Sequence, residues 1–165
     1  MRRKNERLSL DGHSARPPAI AVTSDRAERA LSQRGLQFTP LRRQILDMLI
    51  EAGRPLGAYD LLARQRERAG KPFAPTQIYR VLDVLQAAGL IHRLATQGTY
   101  VVCDHEHAAG ETPVFLVCGA CGSVAEAAST AVEQEVEAVA AASGFKPIHP
   151  VVEVEGRCAA CRAGP

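Results

Sequence analysis

From residue 24 through residue 89 the apolar positions recur at helical spacing, and each stripe is bounded by residues that start or stop a helix. Leu41, Ile45, Met48 and Leu49 fall at i, i+4, i+7 and i+8 between Thr39-Pro40 and Gly53, a cap-and-proline start followed by a glycine stop. Ahead of them Ser24 is placed to cap a helix over 25–34, with Gly35 as its end. A third helix is expected over 57–69, with Leu61 and Leu62 inward and Arg64, Arg66 and Arg68 outward. Pro75 opens a fourth, which Gly89 stops; Ile78, Val81, Leu82 and Leu85 form its inner face. The period then changes. In residues 90–103, LIHRLATQGTYVVC, two β-rich runs flank Thr96-Gln97-Gly98 and predict a hairpin. Helices followed by a hairpin are the order of a winged helix-turn-helix.

The rest reads as a small α/β unit. Short strands are expected near 114–118, 123–126 and 147–155. A helix near 129–142 carries Val132, Val136 and Val139 on one side and Glu133, Glu135 and Glu137 largely elsewhere. The expected class is therefore α+β, with a winged helix-turn-helix over 24–98, a hinge over 99–110 and a small α/β domain over 111–165. Residues 1–23 are basic, contain proline and lack periodicity, so they read as a mostly disordered arm.

Composition narrows the function. No run approaches the ~18 uncharged apolar residues of a membrane helix. The first 23 residues lack the apolar core of an export signal. A membrane or exported protein is disfavoured, and the cytoplasm is the expected location. Tryptophan is absent and the chain holds three Tyr and four Phe, which argues against stacking platforms for single-stranded nucleic acid. Residues 1–93 hold 17 basic and 9 acidic residues, a net +8; residues 94–165 hold 3 and 9, a net −6. Such asymmetry suggests two modules, the first facing a polyanion. On the fourth helix Thr76, Arg80 and Asp83 point away from the inner face, with Gln77 and Tyr79 on its flanks. A helix end bearing Thr, Gln, Tyr and Arg suits the major groove, where Arg forks onto guanine and Gln pairs with adenine.

All five cysteines lie in the acidic half. Two C-x2-C pairs, Cys118/Cys121 and Cys158/Cys161, are separated by 36 residues, the pattern of a tetrahedral structural zinc site rather than a disulfide framework. His92, Cys103, Asp104, His105, Glu106, His107 and Glu126 bring a soft sulfur together with imidazoles and carboxylates near the domain boundary. That mixture suits Zn(II) better than Fe(II).

Ala58-Tyr59-Asp60-Leu61-Leu62, then Pro75-Thr76-Gln77-Ile78-Tyr79-Arg80-Val81-Leu82, then the two C-x2-C pairs follow in an order that resembles the ferric-uptake-regulator family. Within it the chain looks most like the zinc-uptake-regulator branch, on the stretches around His92, Cys103 and Glu126. The resemblance covers about 24–161. It implies a zinc-responsive homodimeric repressor of zinc-uptake genes, with zinc as co-repressor. The winged helix would bind an AT-rich inverted repeat in double-stranded DNA, and the second domain would dimerise. It also implies one structural zinc per subunit on Cys118, Cys121, Cys158 and Cys161. At least one regulatory zinc would sit on His92, Cys103, Glu126 and a fourth ligand, His107, with His105 and Glu111 as alternatives. Tyr59 and Arg80 match positions that contact operator DNA, beside Thr76, Gln77 and Tyr79. Many members carry a His-rich run before the first C-x2-C; here Gly110-Glu111-Thr112-Pro113-Val114-Phe115 has none. His149 would join a further metal site or pack.

Three other readings compete: an iron or peroxide sensor of the same fold, a C-x2-C thiol oxidoreductase, and a zinc-ribbon interaction module. No thioredoxin-like setting surrounds either thiol pair. The sequence also lacks a nucleophile elbow, a phosphate loop and an H-E-x-x-H motif, so no enzyme is expected.

Overall fold

The computed structural model describes residues 22–69, 74–103, 112–148 and 150–163. The arm expected over 1–23 falls almost wholly outside them, as do His105, His107, Glu111 and His149.

Four helices build the first module: α1 (Ser24–Ser32), α2 (Pro40–Ala52), α3 (Ala58–Ala69) and α4 (Pro75–Ala87). Helix α1 starts one residue earlier than expected. Its cap is Thr23, not Ser24, because the Thr23 hydroxyl accepts from the Arg26 N–H; Ser24 instead accepts from the Arg43 guanidinium at 2.6 Å. Helix α2 has its Thr39 cap, Pro40 at the first turn and Gly53 in the left-handed conformation at φ 56°, a φ that glycine adopts without Cβ strain. Ile78, Val81, Leu82 and Leu85 of α4 are all buried, together with Leu31, Ile45, Met48, Leu49, Leu56 and Leu61. On α3 the inner stripe is Leu61 and Gln65, both fully buried, while Leu62 is only half-buried. A buried glutamine at i+4 is not visible in an apolar pattern.

A small sheet closes this core. Strands β1 (Leu56–Gly57), β2 (Ile91–Leu94) and β3 (Thr99–Val102) run in the order β1-β3-β2, all antiparallel. The two-residue β1 is absent from the sequence-based expectation. Strand β3 pairs with both neighbours, so residues 99–102 of the expected hinge belong to the wing. Ile91 is opposite Val102, and Arg93 is opposite Tyr100; that face turns to the helices. His92 and Leu94 lie on the other face.

The second module has strands β4 (Pro113–Cys118), β5 (Val124–Ala128) and β6 (Val152–Gly156), helix α5 (Thr130–Ala142) and a short α6 (Ala159–Arg162). Its sheet order is β5-β4-β6; β5 pairs antiparallel with β4, and β6 pairs parallel. Phe115 and Val117 of β4 are buried against Leu94 of the wing, with Val101 and Val124 packed alongside. The two modules therefore share a core. The opposite sheet face, where Leu116 pairs with Ala125 and Val154, leaves Leu116 and Val154 exposed. No described side chain of α5 is buried; Val139 is 68% exposed, and beyond the helix Phe145 and Ile148 are 69% and 83% exposed.

Truncating Leu82→Ala removes a fully buried side chain from the first core. It is expected to destabilise the helical module by about 2–5 kcal/mol, read as a lower denaturant midpoint for loss of the helical dichroism signal.

Candidate metal centres and nucleic-acid interface

Local structure gathers the four distant thiols. Cys118 ends β4 and Cys121 follows a tight turn, where the Gly122 N–H returns to the Cys118 carbonyl at 2.9 Å. Cys158 and Cys161 flank the start of α6, and the parallel pairing of β4 with β6 sets Cys118 opposite Gly156. All four Sγ atoms lie within 4.8 Å of one another. The Cys121 and Cys158 sulfurs are 3.8 Å apart, close to the ~3.8 Å edge of a tetrahedron with 2.3 Å zinc–sulfur bonds.

The electrostatics also ask for a cation. Backbone N–H groups of Cys158, Cys121 and Ala120 donate to the Cys118 sulfur and bring its pKa down to about 6. Cys161 is pushed up to about 12 by hydrogen bonding with the Cys158, Cys121 and Cys118 sulfurs. Cys158 is lowered too, chiefly by hydrogen bonds from Cys161, so the thiols pull in opposite directions and a fully ionised set needs a dication to compensate it. The donor set therefore fits zinc.

A second group lies where the modules meet. His92 projects from β2, Cys103 directly follows β3, and Glu126 stands on β5 opposite Phe115. Their ligand atoms lie within 4.8 Å of one another. The His92 Nε2 to Glu126 Oε1 distance is 4.0 Å, and Cys103 Sγ is 3.8 Å from the same oxygen. Cys103 is fully buried, and the His92 and Glu126 side chains are mostly so. The His92 ring rests on Phe115, with centroids 4.9 Å apart. Sulfur, nitrogen and oxygen donors converging in a desolvated junction fit a borderline-soft dication. Among the described residues these are the two groups of three or more such donors. Sequence reasoning missed Arg26 of α1, whose guanidinium donates to the Cys103 carbonyl at 3.0 Å and lies 3.9 Å from its sulfur. A lone arginine on an outer helix face carries no sequence signal for that contact.

The face expected to meet DNA is exposed. Thr76, Gln77, Tyr79 and Arg80 are exposed at the start of α4, and Tyr59 at the start of α3 is 76% exposed. One group is partly committed: the Gln77 Oε1 accepts from the Ala74 N–H at 3.1 Å, half of a capping box. Its amide NH2 has no partner in that capping contact and stays available to donate.

A winged helix sharing a core with a thiol-clamped sheet module, with mixed metal donors at the seam, defines a class of two-domain metal-binding helix-turn-helix proteins. The chain belongs to the ferric uptake regulator family, whose model matches residues 33–155. It is 35% identical over 135 residues to the zinc uptake regulation protein of Escherichia coli K12, covering 82% of this chain and 78% of that one. It is 29% identical over 132 residues to the ferric uptake regulation protein of Legionella pneumophila, covering 80% and 96%. Among solved structures, holo XcZur superposes with a TM-score of 0.75 at 40% identity, covering 85% of this chain and 96% of that one. A zinc uptake regulator complexed with zinc and DNA superposes at 0.77 with 33% identity, covering 84% and 92%.

Replacing Cys161→Ser should remove one zinc per chain, measured by elemental analysis of gel-filtered protein. It should also lower the thermal midpoint of the second module. Zinc content equal to that of the unaltered protein would exclude Cys161 as a ligand.

Proposed function

We propose that the protein is a zinc-responsive, DNA-binding transcriptional repressor of zinc-uptake genes, acting as a cytoplasmic homodimer with zinc as co-repressor. The observation that carries this is the seam cluster. His92, Cys103 and Glu126 come from the wing, its exit and the second module, within 4.8 Å of one another. The relatives that are zinc uptake regulators, one of them solved with zinc and DNA, support the same reading. Cys118, Cys121, Cys158 and Cys161 hold a structural zinc. His92, Cys103 and Glu126 hold a regulatory one, with a fourth ligand drawn from His107, His105 or Glu111. Cys103 favours zinc over iron at that position.

A bound dication supplies positive charge to a buried thiolate, carboxylate and imidazole. The chain's own residues do the rest. His92 fixes the wing, Glu126 fixes the sheet, and together with Cys103 they set the angle between the modules. The exposed apolar side chains of α5 and of the segment after it, Val139, Phe145 and Ile148, provide the two-fold interface. In that dimer the interdomain angle sets the separation of the two α4 helices. These must meet half-sites one or more helical turns apart in an AT-rich inverted repeat. Thr76, Tyr79, Arg80 and the free amide of Gln77 face the base edges, and Tyr59 sits beside them.

Titrating free zinc against fluorescence anisotropy of a labelled inverted repeat tests the switch. Operator affinity should rise with zinc in the unaltered protein, and Cys103→Ser should flatten that rise while keeping the structural zinc. Equal affinity at every zinc level would refute the reading. Arg80→Ala should cost about 1–3 kcal/mol of operator binding and relax preference at one base pair, scored by competition with single-substituted duplexes.

A further inference from the structure

The tip of the wing is gripped by the second module at a point that uses none of the metal donors. The Glu153 carboxylate on β6 accepts from the Ala95 N–H at 2.6 Å, from the Thr96 N–H at 3.1 Å and from the Thr96 hydroxyl at 2.7 Å. These residues belong to the turn between β2 and β3. Burial raises the Glu153 pKa, but the donors on Ala95 and Thr96 and the nearby Arg93 charge outweigh it, so the net shift is downward.

Register shows what this contact belongs to. Phe115 on β4 is opposite Glu126 on β5 and opposite Glu153 on β6. One row across the sheet therefore faces the wing at three places. Glu126 meets Cys103 and His92 at the wing's base. Phe115 meets the His92 ring and Leu94 along its length. Glu153 holds the tip. Of these three row residues only Glu126 belongs to the group of metal donors.

We propose that Glu153 is a positioning residue for zinc sensing: by latching Ala95 and Thr96 it pre-aligns His92 with Glu126 and so sets the zinc concentration at which the protein responds. The inference rests on the regulatory role given above to the seam site. A ligand's apparent affinity falls with the fraction of protein in the binding-competent arrangement. A latch that raises this fraction before metal arrives lowers the zinc threshold without touching zinc or DNA. Charge-assisted hydrogen bonds to two backbone N–H groups are among the stronger polar contacts, and they grip the turn whatever side chain occupies position 95.

The test uses full-length dimer with its four-cysteine site loaded. Zinc affinity of the second site is measured by competition with a chromophoric chelator, without DNA, and zinc-dependent operator binding is measured in parallel. Glu153→Gln should weaken the second site and raise the zinc midpoint for DNA binding by about five- to tenfold. Operator affinity at saturating zinc should stay within about twofold of the unaltered protein. Thr96→Val should shift the midpoint in the same direction by a smaller factor, and Thr96→Ser, which keeps the hydroxyl, should restore it. A residue with only a structural role would instead lower operator affinity at every zinc level, and that outcome overturns the proposal. So does an unmoved Glu153→Gln midpoint in a protein whose parent responds to zinc. A parent indifferent to zinc would overturn the sensor reading, and the threshold role with it.

Discussion

A β-hairpin has two faces, and in this protein both faces of the wing are buried. Residues of β2 and β3 alternate between them. Ile91 and Tyr100 complete the helical core, while Leu94 completes the apolar cluster of the second module with Phe115 and Val117. The wing is thus a wall between two cores. Everything that links the modules is placed by that wall: His92 on its second face, Cys103 at its exit, and the turn at its tip. A shift of one residue in the register of β2 would send His92 toward the helices and Ile91 toward Phe115. The position of the seam donors is therefore a consequence of strand pairing.

The two modules earn their stability differently. The first buries a long list of aliphatic side chains from four helices. The second has Phe115, Val117 and the borrowed Leu94, and no described side chain of α5 is buried. Such a core is too small to fix a three-stranded sheet and two helices by hydrophobic burial alone. Four thiols gathered from the β4 turn and the C-terminal α6 are placed to supply the missing constraint once a dication joins them. Ionising those thiols together is costly, as the opposite displacements of Cys118 and Cys161 indicate, so the clamp and a soft dication go together.

Much of this was legible in the sequence because the signals were local. Thr39-Pro40 and Gly53 bracketed α2, and the stripe of Ile78, Val81, Leu82 and Leu85 gave the inner face of α4. Paired C-x2-C motifs announced their cluster, because cysteine spacing encodes knuckle geometry. Other features were not legible, because their partners are distant. Strand β1 is two residues long and exists only because Leu56 and Gly57 meet Tyr100 and Thr99. Nothing in the stretch around Glu153 points to its partners, which lie 57 and 58 residues away. The two-sided burial of the wing did leave a trace, since Tyr100, Val101 and Val102 are consecutive apolar residues instead of alternating ones. Gln65 left none.

The shared core also limits how the modules can move. Separating them fully would expose Leu94, Phe115 and Val117, each of which contributes about 1.5–3 kcal/mol when buried. The total is of the same order as the ~5.5 kcal/mol of differential binding needed to carry a two-state switch from almost wholly one form to the other. A hinge that had to strip that surface would leave little of the metal's binding energy for selecting a DNA-competent angle. Rocking about Phe115, which keeps the apolar contact while altering the distances at His92 on one flank and Glu153 on the other, costs far less. In the dimer proposed above, such a rotation would be passed to each α4, which packs on the wing through Ile91 and Tyr100. On the proposed reading, a change in angle at the seam would therefore alter the separation of the two helices relative to successive grooves.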